Sequence, residues 1–374
     1  LKPTTYNRLP PELPEPLIVM LILPQKGVIL SQPEPTTLSQ DPTSASRKQD
    51  HIELAFESVV HAAQSDTRFY YEPLLSAHPV TTAHPVTFLG KKMGLPLWVS
   101  SMTGGTELAG VINKNLARAC AEFGMGMGLG SCRNLLYSDT YFEDFNLRPI
   151  IGPDLPFYAN LGVAQVEELL AKGEASRIID MVGKLAADGL IVHVNPLQEW
   201  LQPEGDRFQQ APLATIQALL EAVDFPVIVK EVGQGMGPES IKALLQLPIA
   251  ALDFGALGGT NFARLELLRA NKSEQQLFDA VAQIGHTAGE MTQFVNDILL
   301  QEKERIQCRE VIISGGMRNF LDGYYWVNRI QTNAVYAQGS GFLAHARGEY
   351  SELRAYVEGQ ARGWSLAQAF LKVK

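Results

Sequence analysis

The stretch GLIVHVNPLQE, residues 189–199, gives the first indication of the fold, because an apolar run ends in polar side chains instead of a turn. The run GLIV is followed by His193, Asn195, Gln198 and Glu199. Polar tips at the end of a strand that enters a core predict a catalytic site. Seven further short apolar runs punctuate the chain: LPLWVSSMTGG (95–105), GMGMGLGS (124–131), PFYANLG (156–162), FPVIVKEVG (225–233), IAALDFGALGG (249–259), EVIISGG (310–316) and NAVYAQGSGF (333–342).

These eight runs predict a barrel of eight parallel strands. Most are continuously apolar instead of alternating, as expected for strands buried on both faces. Stretches of helical periodicity, such as 107–124 and 212–224, separate them. Eight β/α units after an N-terminal helix are the plan of a TIM (β/α)8 barrel, and an open doubly wound sheet is the alternative. Polar residues that follow the strands should meet at one rim: Thr103, Ser131, Asn160, His193, Lys230, Thr260 and Ser314.

Composition excludes several classes of protein. The 374 residues are 46% hydrophobic and carry a formal net charge of −9, which disfavours binding to nucleic acid but leaves room for a small anionic ligand. Three scattered cysteines indicate neither a disulfide framework nor a zinc site. The apolar run LIVMLIL at 17–23 is shorter than the roughly 20 residues of a membrane span and is flanked by prolines. We therefore expect a soluble, cytoplasmic protein without membrane partners.

The N-terminal 46 residues differ from the rest of the chain. They hold nine of the 22 prolines, which predicts an extended or disordered tail or linker, followed by one catalytic domain over 47–374. The SRKQ sequence has the form of a capping box at Ser46, and Ile52, Phe56, Val59 and Ala63 follow at helical spacing. Cations in the first turn of this helix, Arg47 and Lys48, are interpreted either as solvated charges or, with His51 one turn along, as an anion site.

The glycine-rich ends of the last two runs predict a phosphate site. IISGG and QGSG allow backbone N–H groups to approach a phosphate closely, although each could also be an ordinary tight turn. Lys230 ends an apolar strand and needs an anionic partner, which we expect to be Glu231, Glu199 or an anionic cofactor such as a reduced flavin. Glu199, as a single carboxylate, suits Mg²⁺. There is no Ser-His-Asp set and no Walker lysine, so a cofactor must supply much of any acid–base chemistry.

Taken together, RKQDHI, SMTGG, GLGSCR, ANLG, HVNPLQE, KEVGQG, GGTNFAR and SGGMRN resemble the type 2 isopentenyl diphosphate isomerases, from about residue 47 to the C-terminus. The resemblance implies a flavin-dependent TIM barrel that interconverts isopentenyl and dimethylallyl diphosphate. It also implies reduced FMN and Mg²⁺ as cofactors, NADPH as reductant, and a homo-oligomer, either tetramer or octamer. The proton shift would use the flavin, with Gln198 as the catalytic side chain.

The resemblance also implies a site, residue by residue. FMN would be held by Ser101, Met102, Thr103, Ser131, Asn160, Lys230, Thr260, Gly316, Met317, Arg318, Gly339 and Ser340. The prenyl diphosphate would contact Arg47, Lys48, His51, Ser131, Arg133, His193, Asn195 and Gln198. Glu199 would bind Mg²⁺. Cys132 departs from the pattern, because the family usually has a glutamine at this position.

The residues alone leave three other functions open. An FMN-dependent barrel oxidoreductase acting on a hydroxy acid would typically need a histidine base and arginines for a carboxylate. An inosine monophosphate dehydrogenase-like enzyme would use Cys132 as a nucleophile, although a lone cysteine beside glycine is more often structural. A catalytically silent barrel could bind only flavin or a partner.

Overall fold

The computed structural model describes residues 43–101 and 104–374, and its centre is a closed barrel of eight parallel strands. Each of the eight predicted apolar runs contains one barrel strand, so the predicted TIM barrel is confirmed and the open sheet is excluded. The strands are β1 Leu97–Val99, β2 Gly126–Gly128, β3 Phe157–Gly162, β4 Gly189–Val194, β5 Val227–Glu231, β6 Ala251–Asp253, β7 Glu310–Ile313 and β8 Asn333–Gln338.

Helices surround the barrel and connect its strands. They are α1 Ser44–Glu53, α2 Glu107–Phe123, α3 Phe142–Phe145, α4 Arg148–Ile151, α5 Val163–Ala171, α6 Ala175–Lys184, α7 Pro196–Leu201, α8 Pro212–Ala222, α9 Pro238–Leu245, α10 Phe262–Arg269, α11 Lys272–Ala282, α12 Ala288–Gln301, α13 Phe320–Arg329, α14 Ser340–Ala346 and α15 Tyr350–Phe370. Local sequence fixes their ends. In α2, the Thr106 side chain accepts a hydrogen bond from the Ala109 N–H, and Gly124 ends the helix at φ 70°, a conformation that favours glycine.

Short elements complete the chain. They are the strand pair Phe69–Tyr71 and Leu371–Val373, the hairpin Val86–Phe88 and Lys91–Met93, and the 3₁₀ turns Ala62–Gln64, Arg133–Leu136 and Lys303–Arg305. None of the helices in the part of the chain that the structure describes is long and apolar enough to span a membrane.

The hairpin at 86–93 forms the floor of the barrel. Its Phe88 and Met93 are fully buried in the same apolar cluster as the inward-facing Trp98, Tyr158 and Ile228. Polar contacts hold the hairpin to the N-terminal ends of strands. The Leu89 N–H donates to the Glu310 carboxylate at 2.6 Å, and Lys91 Nζ lies 2.6 Å from Asp188 Oδ1. Because the N-terminal end is filled, the open end of the barrel is the C-terminal one.

The predicted N-terminal helix exists, but its details differ from the prediction. It begins at Ser44, and Ser46 lies inside it, where its Oγ donates to the Thr43 carbonyl at 2.9 Å. The predicted capping box at Ser46 does not form, since the Gln49 amide donates to Glu53 instead. The helix ends at Glu53, so Phe56, which is 89% exposed, is neither helical nor packed.

The apolar spacing of this segment has no core surface to face, because the side chains of residues 46–66 are all exposed. Helices depend mainly on the packing of their apolar face, which explains why the pattern does not extend the helix here. Most of the predicted tail, residues 1–42, lies outside the described residues.

Candidate active site

A cavity of about 370 Å³ opens at the C-terminal end of the barrel. This end is where barrel enzymes keep their sites, and the volume falls in the usual range of ~300–1,000 Å³ for ligand pockets. The structure brings together at this cavity many of the residues that the sequence predicts: Ser101, Ser131, Asn160, His193, Gln198, Lys230, Thr260, Ser314, Gly316, Met317, Arg318, Gly339 and Ser340. Met102 and Thr103, also predicted to contact the cofactor, lie outside the described residues.

Lys230 places its ammonium group in the wall of this cavity. Its side chain is 9% exposed, and its Nζ lies 3.0 Å from Asp253 Oδ2 and 3.5 Å from Ser314 Oγ. The predicted protein partners, Glu231 and Glu199, are therefore wrong. Neighbouring residues of a strand point to opposite faces, so Glu231 cannot reach the ammonium group beside it. Asp253 comes from the adjacent strand, where it pairs in register with Lys230.

Glu231 supports the loop that follows its own strand. Its carboxylate accepts hydrogen bonds from the N–H groups of Gly233, Gln234 and Gly235 at 2.6–2.9 Å. Burial raises the pKa of Glu231 to about 7, against the smaller lowering effect of these N–H donors. The loop borders the cavity through Val232 and Gly233.

His193 is held as a neutral imidazole. Asn160 Nδ2 donates to the Leu129 carbonyl, so Asn160 Oδ1, 2.7 Å from His193 Nδ1, accepts a hydrogen bond from that nitrogen. Burial and the positive charge of Lys230 lower the pKa of His193 to about 4. The Nε2 atom therefore keeps a lone pair that can accept a hydrogen bond.

Gln198 is fixed at both ends of its amide. Asn195 Nδ2 donates to Gln198 Oε1 at 3.1 Å, and Gln198 Nε2 lies 3.5 Å from Glu266 Oε1. Glu266 is buried and pairs with Arg269 at 2.5 Å. The sequence does not reveal Glu266, because this residue lies in the middle of α10 and no strand end or motif indicates it.

Glu199 and Asn195 lie behind Gln198 and do not border the cavity. Glu199 Oε1 accepts from Asn195 Nδ2 at 2.9 Å, and its Oε2 accepts from the Asp206 N–H at 2.7 Å. The Oδ1 atom of Asn195 is buried and lacks a hydrogen-bond partner. Across residues 43–101 and 104–374, no group of three or more histidine, cysteine, aspartate or glutamate side chains could hold a metal.

Besides Asn195, four predicted substrate residues lie away from the cavity wall. Arg133 pairs with Asp206 at 2.9 Å, and its side chain is about half exposed. Arg47, Lys48 and His51 are exposed on α1 and do not line the cavity. The structure therefore leaves their predicted contact with the substrate as a prediction.

The glycine turn after β7 packs closely against the loop that follows β6. Gly315 and Gly316 have φ values of 89° and 71°, and a Cβ on Gly315 would lie 2.0 Å from the Ala256 carbonyl oxygen. No other residue fits at position 315 without moving the backbone. This turn and the segment 339–341 both border the cavity.

Cys132 is fully buried, and its Sγ lies 3.4 Å from the Gly130 carbonyl oxygen. Burial raises the pKa of this thiol to about 12. Since the thiolate is the nucleophilic form, these surroundings oppose the use of Cys132 as a nucleophile.

Sequence comparison finds curated relatives that share the name isopentenyl-diphosphate delta-isomerase. No family model matches the chain. Among curated proteins, an isopentenyl-diphosphate delta-isomerase of a Nostoc species is 34% identical over 293 residues, which cover 77% of this chain and 81% of that protein. The isopentenyl-diphosphate delta-isomerase of Rickettsia akari is 36% identical over 281 residues, covering 74% and 79%.

Structure comparison gives the same architecture. The flavin-binding domain of baker's yeast flavocytochrome b2 matches with a TM-score of 0.55 over 81% of this chain and 72% of that chain, at 14% identity. A mandelate oxidase variant matches with a TM-score of 0.52, over 82% and 86% of the two chains, also at 14% identity. At such low identity these likenesses show the barrel fold alone. The isomerase matches, together with the closed barrel, show that this chain belongs to the isopentenyl-diphosphate delta-isomerase family, whose type 2 members its motifs resemble.

Proposed function

We propose that this protein interconverts isopentenyl and dimethylallyl diphosphate by an allylic proton shift, with reduced FMN bound in the barrel cavity and Mg²⁺ on the substrate. Among the structural observations, the buried Lys230 at the cavity wall carries this proposal furthest. A buried ammonium group beside a cavity favours an anionic ring edge, such as that of reduced flavin. NADPH is the proposed source of the electrons that reduce the flavin.

The residues of the cavity fit FMN. Small side chains and glycines border the space, as the close approach of a flat ring requires. The Ser101 Oγ atom is buried at the cavity without a hydrogen-bond partner, which suits contact with a ligand. Lys230 and Asn160 would hold the ring, and the turns at 315–316 and 339–340 would hold the phosphate. When bound, reduced FMN supplies the acid–base group that the chain itself lacks.

The chain's own residues would orient the substrate. Gln198 projects an amide whose orientation is set by Asn195 and Glu266, and a neutral amide can position an alkene or a proton but is a weak base. Neutral His193 would offer Nε2 as an acceptor. Arg47, Lys48, His51 and Arg133 are proposed to neutralise the diphosphate when it binds.

Mg²⁺ fits the cluster behind Gln198. Glu199 provides a carboxylate, and Asn195 Oδ1 is a buried oxygen without a hydrogen-bond partner in the same cluster. Mg²⁺ usually takes one or two carboxylates and completes its shell with water and substrate phosphates. A single acidic side chain is therefore sufficient for this proposal.

The decisive experiment measures product formation under anaerobic conditions. Protein incubated with FMN, dithionite, Mg²⁺ and isopentenyl diphosphate should form dimethylallyl diphosphate, and omission of dithionite should stop the reaction. In a separate aerobic assay, a hydroxy-acid oxidase would instead consume oxygen with lactate or mandelate. Absence of the dimethylallyl product, with FMN demonstrably bound and reduced, would contradict the proposed function.

A further inference from the structure

We propose that Asp253 is a positioning residue that couples the two ends of the cofactor site through Lys230 and Ser314. This inference rests on the proposed binding of FMN. Asp253 is fully buried and does not border the cavity, whereas Lys230 and Ser314 both do. Asp253 therefore makes no contact with a ligand in the cavity, and we trace its effect to its compensation of the Lys230 charge and its hydrogen bond to Ser314.

The barrel brings the three side chains together from two neighbouring strands and the end of a third. Asp253 on β6 pairs with Lys230 on β5 and with Ile312 on β7, two residues before Ser314. One oxygen of Asp253 lies 3.0 Å from Lys230 Nζ. The other accepts a hydrogen bond from Ser314 Oγ at 2.5 Å. A single carboxylate thus links a charged group on one side to a hydroxyl group on the other.

Toward the ring, Asp253 balances the charge of Lys230. The ammonium group has three N–H donors; Ser314 Oγ accepts one at 3.5 Å, and Asp253 Oδ2 lies at ion-pair distance without a hydrogen bond, so the donors are not all used by the protein. The negative charge of Asp253 offsets part of the positive field that Lys230 projects. Replacing this carboxylate by an amide of the same shape leaves the cation uncompensated. An anionic reduced flavin should then bind more tightly relative to the neutral oxidised form.

Toward the phosphate, Asp253 fixes the start of the glycine turn. Ser314 Oγ accepts a hydrogen bond from the Gly255 N–H at 2.8 Å while it donates to Asp253. Ser314 directly precedes Gly315, whose position against Ala256 allows no side chain. Loss of the Asp253–Ser314 bond should therefore loosen the turn proposed to hold the FMN phosphate.

The test uses ratios of ligand affinity, which a general loss of packing would not change. The first is the ratio of dissociation constants for oxidised and reduced FMN, read as the midpoint potential of the bound flavin. The second is the ratio for riboflavin and FMN, which isolates the phosphate. Asp253→Asn should raise the first ratio about tenfold, a positive shift of about 30 mV for a two-electron couple, and lower the second severalfold.

Three further variants separate the effect of the Asp253–Lys230 ion pair from that of the Asp253–Ser314 hydrogen bond. Lys230→Met should lower the midpoint potential, and adding Asp253→Asn to it should cause no further shift. Ser314→Ala should reduce the preference for FMN over riboflavin, and it should shift the midpoint potential less than Asp253→Asn does, because it removes no charge. Asp188→Asn is the matched control, because Asp188 pairs with Lys91 at the opposite end of the barrel, and it should change neither ratio.

The outcomes distinguish this inference from the proposed function. If the unaltered protein binds no FMN, both are overturned. If it binds FMN and both ratios stay unchanged in Asp253→Asn, only the role of Asp253 is overturned. If Asp253→Asn does not fold, Ser314→Ala still decides the phosphate link, and an unchanged preference for FMN in that variant overturns the coupling.

Discussion

At the scale of single residues, the cavity consists of side chains held by specific partners. Gln198 lies between Asn195 and Glu266, and His193 is fixed by Asn160. Each of these predicted side chains has its orientation set by a residue from another part of the chain. Fixed orientation is what a catalytic amide or imidazole needs, since small displacements of positioning groups reduce rates strongly.

We predict that Gln198→Ala lowers kcat of the isomerase by about 100-fold, because the substrate loses a positioned amide at the site of proton transfer. The affinity for FMN should stay within about threefold of the unaltered value. Steady-state kinetics and a flavin titration measure the two quantities. Gln202→Ala is the control, since Gln202 lies at the end of the same helix and outside the cavity lining. An unchanged kcat in Gln198→Ala would exclude a catalytic role for this residue.

Glu199→Gln should raise the Mg²⁺ concentration needed for half-maximal activity by at least about tenfold, because the amide removes the one carboxylate of the proposed metal cluster. Chelation of Mg²⁺ should stop turnover and leave bound FMN in place. Activity measured against Mg²⁺ concentration checks both statements. Glu204→Gln, an exposed neighbour paired with Arg269, should show the unaltered curve. An identical Mg²⁺ curve for Glu199→Gln would refute the metal assignment.

At the scale of elements, the sequence identifies which segments meet but not how they align. Parallel strands of a barrel all end at the same rim, so polar residues after apolar runs could be placed together from the sequence alone. The ion-pair partner of Lys230 could not be predicted from the sequence, because it depends on the register between β5 and β6. The same limit explains Glu266, whose contact with Gln198 depends on the direction in which α10 crosses the rim. For the segment that begins with α1, the periodic apolar pattern predicts a packed helical face, but the side chains of residues 46–66 are exposed and the helix ends at Glu53.

The loop after β5 should give a pH dependence to the stability of the fold. The folded protein holds a proton on Glu231 up to a pH of about 7, whereas the ordinary pKa of this group is 4.5. The stabilisation from Glu231 is therefore complete below pH 4.5 and is lost as the pH rises through about 7. Glu231→Gln should remove this contribution, so the melting temperature should fall less between pH 5 and pH 8 than in the unaltered protein.

Thermal unfolding at several pH values measures this contribution. Exposed Glu239, on the adjacent helix α9, provides the control substitution Glu239→Gln, which should leave the pH profile unchanged. Equal profiles for Glu231→Gln and the unaltered protein would contradict the raised pKa of Glu231.

At the scale of the whole molecule, the barrel has two distinct ends. The floor is filled by the hairpin side chains Phe88 and Met93 against Trp98, and the rim carries the cavity. The sequence predicts the eight strands and the functional rim, since both follow from repeated local patterns. It does not reveal the floor, because the hairpin precedes the first barrel strand and has no pattern that ties it to the barrel interior.

Phe88→Ala should lower the free energy of unfolding by about 3–5 kcal/mol, the usual cost of truncating a fully buried phenylalanine. Its KM for the substrate should stay unchanged, because the floor lies at the end of the barrel opposite the rim. Denaturant unfolding and steady-state kinetics measure these effects. Phe56→Ala, at a side chain that is 89% exposed, should change stability by no more than about 0.5 kcal/mol. A similar small loss in Phe88→Ala would show that the floor contributes little to the fold.

The filled floor has a consequence for the order in which ligands come and go. Because the hairpin closes one end of the barrel, ligands enter and leave the cavity through the other end. The more deeply bound ligand must therefore bind first and dissociate last. A flavin laid against Lys230 would be trapped beneath each incoming prenyl diphosphate, and many substrate molecules could exchange above one stationary flavin.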